Sequence, residues 1–313
     1  MTARPGQPSL RRPGAGEAST ARAAGEPAVA DQASQVSLAG RPGLAGRPGL
    51  ANRAATEVSA LLAIAQRDVI KLLRDRLRLA VNLAFPVLLI AGLGGLLQAT
   101  VGKVTGLSTI TLSFTGVLAA SLFQSAAAGM ISIVEDREND FSRELFIAPV
   151  SRLTLLAGKI AGESTVALSQ GVLIVAFAVA FGVRMTGWQL LGLAGTGLVC
   201  CLLGAAFGLA TIAALPNQRS AMQIFQFLII PQYVLGGVLV PLTTAPRLLA
   251  DIAWLMPMRY CVELARATFY AGLPGYHRVV AVSAGVDLAV IAALTITLLA
   301  AGGALFSYRE RVR

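Results

Sequence analysis

Apolar and polar positions divide this chain into a polar leader, one two-faced stretch and a series of long apolar runs. Over about 54–79, Leu61, Leu62, Ile64, Val69, Leu72 and Leu73 recur at helical spacing, while Arg67, Asp68, Lys71, Arg74, Asp75, Arg76 and Arg78 occupy the opposite face. Such a helix is too charged to cross a bilayer and too apolar to leave its surface, so the pattern predicts an amphipathic helix lying in the interface. Further apolar runs at about 80–98, 109–134, 153–183, 188–215, 221–240 and 279–307 each approach the ~20 residues that span the hydrocarbon layer. The expectation is an all-α membrane protein whose residues 80–313 form six transmembrane helices, with both termini on one side.

The connection at 241–278 is too apolar for an ordinary loop: greasy and polar residues alternate at helical spacing and Pro257 divides it. Two short helices that dip into the membrane and return fit this pattern, a re-entrant hairpin between the fifth and sixth spans whose backbone is satisfied by packed protein. A plain amphipathic surface helix is the alternative. Residues 1–53 are rich in Pro, Gly, Ala, Ser and Arg and repeat AGRPGL at 39–44 and 45–50. They have too few large apolar groups to build a core. No apolar run precedes Leu61, so this segment reads as a retained, disordered cytosolic tail rather than a secretory signal.

Composition agrees with the pattern. The 313 residues are 55% hydrophobic and 13% charged, with a mean hydropathy of +0.69, against about 25% charged for an ordinary soluble domain. A net charge of +10 could attract nucleic acid, but the basic residues stand beside the apolar spans. There they set orientation and meet anionic headgroups, so membrane lipids and not nucleic acid are the expected partner. The interfacial helix, the 135–152 loop, Arg219 and the terminal Arg309, Arg311 and Arg313 carry about twice the Lys and Arg of the opposite loops, which places both termini in the cytosol of a multi-pass plasma-membrane protein. Arg247, Arg259, Arg266 and Arg278, in the connection at 241–278, are the exception. Cys200, Cys201 and Cys261 have no metal-ligand spacing and read as packing residues; His277 stands alone as a loop residue, so no metal site is expected.

The densest chemistry lies in the loop at 135–152. Glu135, Asp136, Glu138, Asp140 and Glu144 mix with Arg137, Arg143 and Arg152, and the ELFIAP segment sets Leu145, Phe146 and Ile147 between these charges and Pro149. An apolar tip inside a charged collar suits the groove of a soluble cytosolic partner; a loop that merely follows the positive-inside rule would not need so many acids. Within the spans, Asn82, Ser121, Gln124, Glu163, Gln170, Gln223, Gln226, Gln232 and Tyr233 interrupt the apolar runs. Such groups are costly in lipid and face a bundle interior, either as lining for a solute path or as interhelical hydrogen bonds. Gln223 and Gln226 share one helical face, whereas Glu163, one turn beyond Lys159, reads as a local ion-pair partner. The pairs Gly204/Gly208 and Gly92/Gly95 would let helices approach closely, within the chain or at a dimer seam. No span carries an Asp or Lys near its middle and no inverted repeat is visible, which disfavours an ion-coupled transporter. An intramembrane enzyme lacks its nucleophile, base or metal ligands.

The charged loop runs into Pro149, Val150, Ser151 and Arg152, followed by Gly158 and Lys159; a second landmark comprises Pro257, Met258, Tyr260 and Arg266, with Pro246 upstream. These two landmarks in this order resemble the ABC type-2 exporter permeases, in particular the daunorubicin-resistance type, although Asn139, Asp140 and Phe141 stand where that type commonly has Gly-Thr. The resemblance covers about 54–313. It implies a transport subunit without its own ATPase site, paired with a second permease chain as a homodimer or related heterodimer. Two copies of a separate ABC ATPase subunit would bind ATP and Mg. In keeping with that, the chain contains no G-x-x-x-x-G-K-[ST] phosphate loop: Gly102-Lys103 and Gly158-Lys159 are followed by Val and Ile. Glu135, Asp136, Arg137, Glu138, Arg143, Glu144, Leu145, Phe146, Pro149 and Arg152 would be the coupling surface, with Arg67, Lys71, Arg74 and Arg78 on the interfacial helix transmitting the push. The implied cargo is an amphiphilic drug or lipid-like molecule, hence drug efflux and antibiotic resistance. Polysaccharide or glycolipid export is the alternative, and an ATPase-independent transporter a more distant one.

Overall fold

The computed structural model describes residues 76–97, 108–134, 152–213, 217–239 and 246–312, together with positions 66, 70, 215 and 242. The tail at 1–53, the loop from Glu135 to Ser151 and the interfacial helix before Arg76, apart from positions 66 and 70, lie outside the described residues. All described elements are helical, with no strand among them.

The first helix, α1 (Arg76–Leu88), continues through a π-helical turn (Leu89–Leu93) into a last α turn (Gly94–Leu97). Pro86 lies inside α1; it has no N–H to give to the ladder, and the wider turn follows directly after it. Next come α2 (Thr109–Met130), α3 (Arg152–Ala180), α4 (Gly187–Ala213) and α5 (Gln218–Leu235). Two short helices, α6 (Arg247–Ala253) and α7 (Pro257–Phe269), precede a single turn, α8 (Tyr276–Val279), and the final helix α9 (Ala284–Val312). The turns are built from local chemistry. Thr186 and Gln189 form a reciprocal cap at the start of α4, the Thr186 N–H donating to Gln189 Oε1 (2.8 Å) and the Gln189 N–H to Thr186 Oγ1 (3.3 Å). Asn217 caps α5 by accepting the Ser220 N–H at 2.8 Å.

Among the described residues, four helical stretches are long and apolar enough to cross a membrane: Thr109–Val134, Leu156–Ala180, Gly187–Ala213 and Tyr276–Leu305. The other two expected spans fall short of that measure. The apolar stretch at Leu83–Leu96 is brief, and α5 has only 18 residues, among them Gln218, Arg219, Gln223, Gln226 and Gln232.

α2 is the centre of the bundle. It is apolar all round, as a helix surrounded by others must be, and 72% of its spanning window is buried. It packs against α3, α4 and α7, while α9 lies on α4 and α7 and α1 lies on α3. The contact with α4 is close because Gly204 and Gly208 face α2: a side chain at either would overlap the backbone carbonyl of Phe123 or Ala127. This pair therefore serves packing within the chain. Gly92 and Gly95 have nothing within 4 Å of where a side chain would start.

Candidate functional site

The polar residues of the fold gather around α7. Its sequence, PMRYCVELARATF, places Pro257 at the start, where the missing N–H costs nothing. Met256 supplies no side-chain cap; Gln232 on α5 does this from outside, its Oε1 accepting the Met258 N–H at 3.2 Å. Eleven of the thirteen residues of α7 are buried, including Arg259, Glu263 and Arg266. Burying three charges in one short helix requires a partner for each.

Those partners come from three directions. Arg259 donates through Nε to Glu263 Oε1 at 3.1 Å, one turn along the same helix, reaches the Ala250 carbonyl of α6 at 3.4 Å and lies 3.7 Å over the Trp254 ring. Tyr260 donates to the Trp254 carbonyl at 2.7 Å, which closes the α6–α7 turn. Arg266, 1% exposed, lies two turns further along the same face and donates through one amino nitrogen to the carbonyls of Gly237 (2.6 Å) and Val238 (3.1 Å) in the turn after α5. Gly237 makes that turn with φ of +69°, a conformation natural to glycine. The Val238 carbonyl sits so close to Gly116 of α2 that any side chain there would displace it. From α9, the fully buried Asp287 interacts electrostatically with Glu263 and Arg259. Two arginines and two carboxyl groups are thus buried together, though Asp287 Oδ1 and Oδ2, Glu263 Oε2 and Arg266 Nε have no hydrogen-bond partner among the described residues. The expected second landmark is therefore assembled in space: Pro246 precedes α6, Pro257 opens α7, Tyr260 ties the two together, and Arg266 joins α7 to the end of α5.

A second polar contact joins α2 to α5. Tyr233 donates to Gln124 Oε1 at 2.6 Å, and its ring meets Phe85 of α1 edge-on at 5.8 Å. Of the residues expected to line a solute path, the structure brings these two together. Gln232 is buried and tied to the Leu228 carbonyl and to α7, and Gln170 is buried on α3. Gln223 and Gln226 point away from the bundle, on the exposed face of α5. Asn82 lies on α1, but its side chain is outside the described set.

At the opposite end of α3, Lys159 and Glu163 form an ion pair at 3.1 Å, and Ser132 on the stretch following α2 donates to the same Glu163 oxygen at 3.4 Å. Arg152 opens α3, but its side chain is not described, and neither is that of Arg78 on α1; the remaining coupling and interfacial-helix residues lie outside the described positions.

The three cysteines are buried and unpaired; Cys200 Sγ lies 3.9 Å from the Cys261 carbonyl, where α4 meets α7. No group of three potential metal ligands occurs among the described residues. Arg259 is thus a buried charge and not the external loop charge expected, and Glu263 and Asp287 carry no expectation from the sequence. The i,i+4 spacing of Arg259 and Glu263 was the available signal; Asp287, in the first turn of a long helix, resembles an ordinary dipole-favoured acid.

Comparison with known proteins is consistent with this arrangement. A Cyanophora paradoxa protein described as "Putative transport permease ycf38" is 24% identical over 213 residues, 67% of this chain and 73% of that one. Residues 59–270 match the ABC-2 type transporter family, a span that runs from the amphipathic stretch through the charged loop to the end of α7. By that match, this membrane protein belongs to the ABC-2 type transporter family.

Proposed function

We propose that the chain is the permease subunit of an ATP-binding cassette exporter, which moves an amphiphilic drug or lipid-like molecule out of the cell with ATP hydrolysed by a separate subunit. The observation that carries this reading is the family match, which runs unbroken through the charged loop and the α6–α7 landmark. In this reading α1 and α5 complete six spans, both termini are cytosolic, and the Glu135–Arg152 loop is gripped by the ATPase. Two permease chains face each other across the exposed side of α5, so that Gln223 and Gln226 line the path between them. The Tyr233–Gln124 contact then ties α5 to the bundle when the ATPase pushes. A chain with 6% aromatic residues fits this cargo class better than a saccharide, which favours aromatic stacking surfaces.

The test is co-purification of the chain with a candidate ABC ATPase subunit, and ATPase activity in reconstituted membranes, for wild type against Glu144→Arg and Pro149→Gly. Stable association, with ATPase lost or uncoupled from transport in the variants, is the expected result. An ATPase that never associates, and variants that behave as wild type, would remove the exporter reading.

A further inference from the structure

A groove of about 960 Å³ opens between the start of α4, the end of α7 and the α8–α9 junction. Its walls are mainly apolar: Trp188 and Leu191 from α4, Leu273 and Pro274 from the turn after α7, and Ala284 from α9. Trp188 is 80% exposed and Leu191 63%, so the described residues leave this apolar surface uncovered. The size lies within the range of sites that hold one small amphiphile.

The exposed charge around the groove has one sign, the nearby Asp287 in the first turn of α9 being fully buried. Its lining contains no carboxylate, and neither 181–192 nor 267–284, the two segments that frame it, contains an Asp or Glu. The same segments carry Arg184, His277 and Arg278, all on the exposed surface. The helix α4, of 27 residues and with no acid in its first turn, also begins here with its positive end at the groove. An apolar trough with a cationic, acid-free rim and an exposed indole is complementary to a molecule with an acyl chain and an anionic head. A small anion alone would leave the apolar walls uncovered.

We propose that this groove binds one anionic phospholipid of the surrounding bilayer, its chain along Trp188, Leu191 and Leu273 and its phosphate at Arg184, His277 and Arg278. The bound lipid is a resident of the permease and not its cargo, so the site does not depend on the transport reading.

The chain has two tryptophans, Trp188 and Trp254, so Trp254→Phe leaves Trp188 as the single reporter in the groove. The full-length variant, in nanodiscs of phosphatidylcholine, is titrated with brominated phosphatidylglycerol or with brominated phosphatidylcholine. Trp188 quenching is expected to saturate with the anionic lipid at a mole fraction about fivefold lower than with the neutral one. The pair Arg184→Gln/His277→Gln should bring the two curves together, and Ala271→Leu, which fills the groove without changing charge, should abolish saturation. Glycerol phosphate in solution should not protect. Identical curves for the two lipids, a preference that survives the charge variants, or protection by glycerol phosphate would each overturn the proposal. Because Trp254 lies against Arg259, the wild-type chain is assayed in parallel by native mass spectrometry. One retained phosphatidylglycerol, lost in Arg184→Gln/His277→Gln, supports the site; no preferential adduct in the wild type overturns it.

Discussion

Two neighbouring helices, α5 and α7, have exchanged the roles they would have in water. α7 carries Arg259, Glu263 and Arg266 and buries nearly all of its residues; α5, with Ile224, Phe227, Ile230 and Val234, sets those side chains on the outside and buries a single stripe of Ala221, Phe225, Ile229 and Gln232. In an aqueous protein the charged helix would be the surface one. In a bilayer the outer solvent is hydrocarbon, apolar surface gains little by turning inward, and charge must find its partners inside the protein. The same inversion separates α2 from the last helix, whose spanning window is only 22% buried against 72% for α2. The bundle is therefore held less by greasy surface than by the closeness of its backbones and the completeness of its polar contacts.

The sharpest way to break that arrangement is Arg266→Leu. The two carbonyls of Gly237 and Val238 lose their donor, and the buried cluster loses one of its two cations. Removing one member of a buried charge set costs about 3–5 kcal/mol, enough to eliminate a well-folded fraction. The measurement is the thermal midpoint of the detergent-solubilised chain by size exclusion after heating. Adding Asp287→Asn to Arg266→Leu should recover part of the loss, because it also removes a buried carboxyl group that has no hydrogen-bond partner among the described residues; no recovery would mean that the carbonyl contacts alone hold α7.

Backbone closeness should come next in size. Gly208→Val drives a side chain into the Ala127 carbonyl of α2, whereas Gly95→Val enters open space within the chain. Overpacking a contact of this kind costs about 1–3 kcal/mol, so the first variant should lose several degrees in the same thermal assay and the second should match wild type. A loss at Gly95 that appears only when two chains are cross-linked would locate a seam between copies on α1.

The periodicity argument reads the helices well because apolar runs of spanning length have few other uses. It divides the α6–α7 region at a single proline, Pro257, which opens α7 after α6 has ended at Ala253. It fails on Arg259 and Arg266, which it set in an external loop: a positive-inside tally cannot distinguish a charge in water from one neutralised in a packed core. Asp287 was illegible for a related reason, its partners lying more than twenty residues away in sequence. Glu263 could have been read from its i,i+4 relation to Arg259, as Glu163 was from Lys159, an ion pair that the structure contains. Among the glutamines, sequence spacing put Gln223 and Gln226 on a common face, but which way that face turns depends on the stripe of Ala221, Phe225 and Ile229 that docks inward.

The smallest expected effects on stability therefore fall on the exposed side of α5. Tyr233→Phe removes one interhelical hydrogen bond to Gln124, and such bonds between membrane helices are worth about 0.6 kcal/mol on average. Gln223→Leu and Gln226→Leu change exposed side chains of α5 and should stay within about 0.5 kcal/mol of wild type. Transport should order these variants the other way. If α5 lines a path, the paired leucines change the rate or the cargo range of ATP-driven export in reconstituted vesicles while the thermal midpoint stays fixed, and Tyr233→Phe changes it less. Leucines that alter neither property would leave α5 with an ordinary lipid-facing surface and move the path to another face of the bundle.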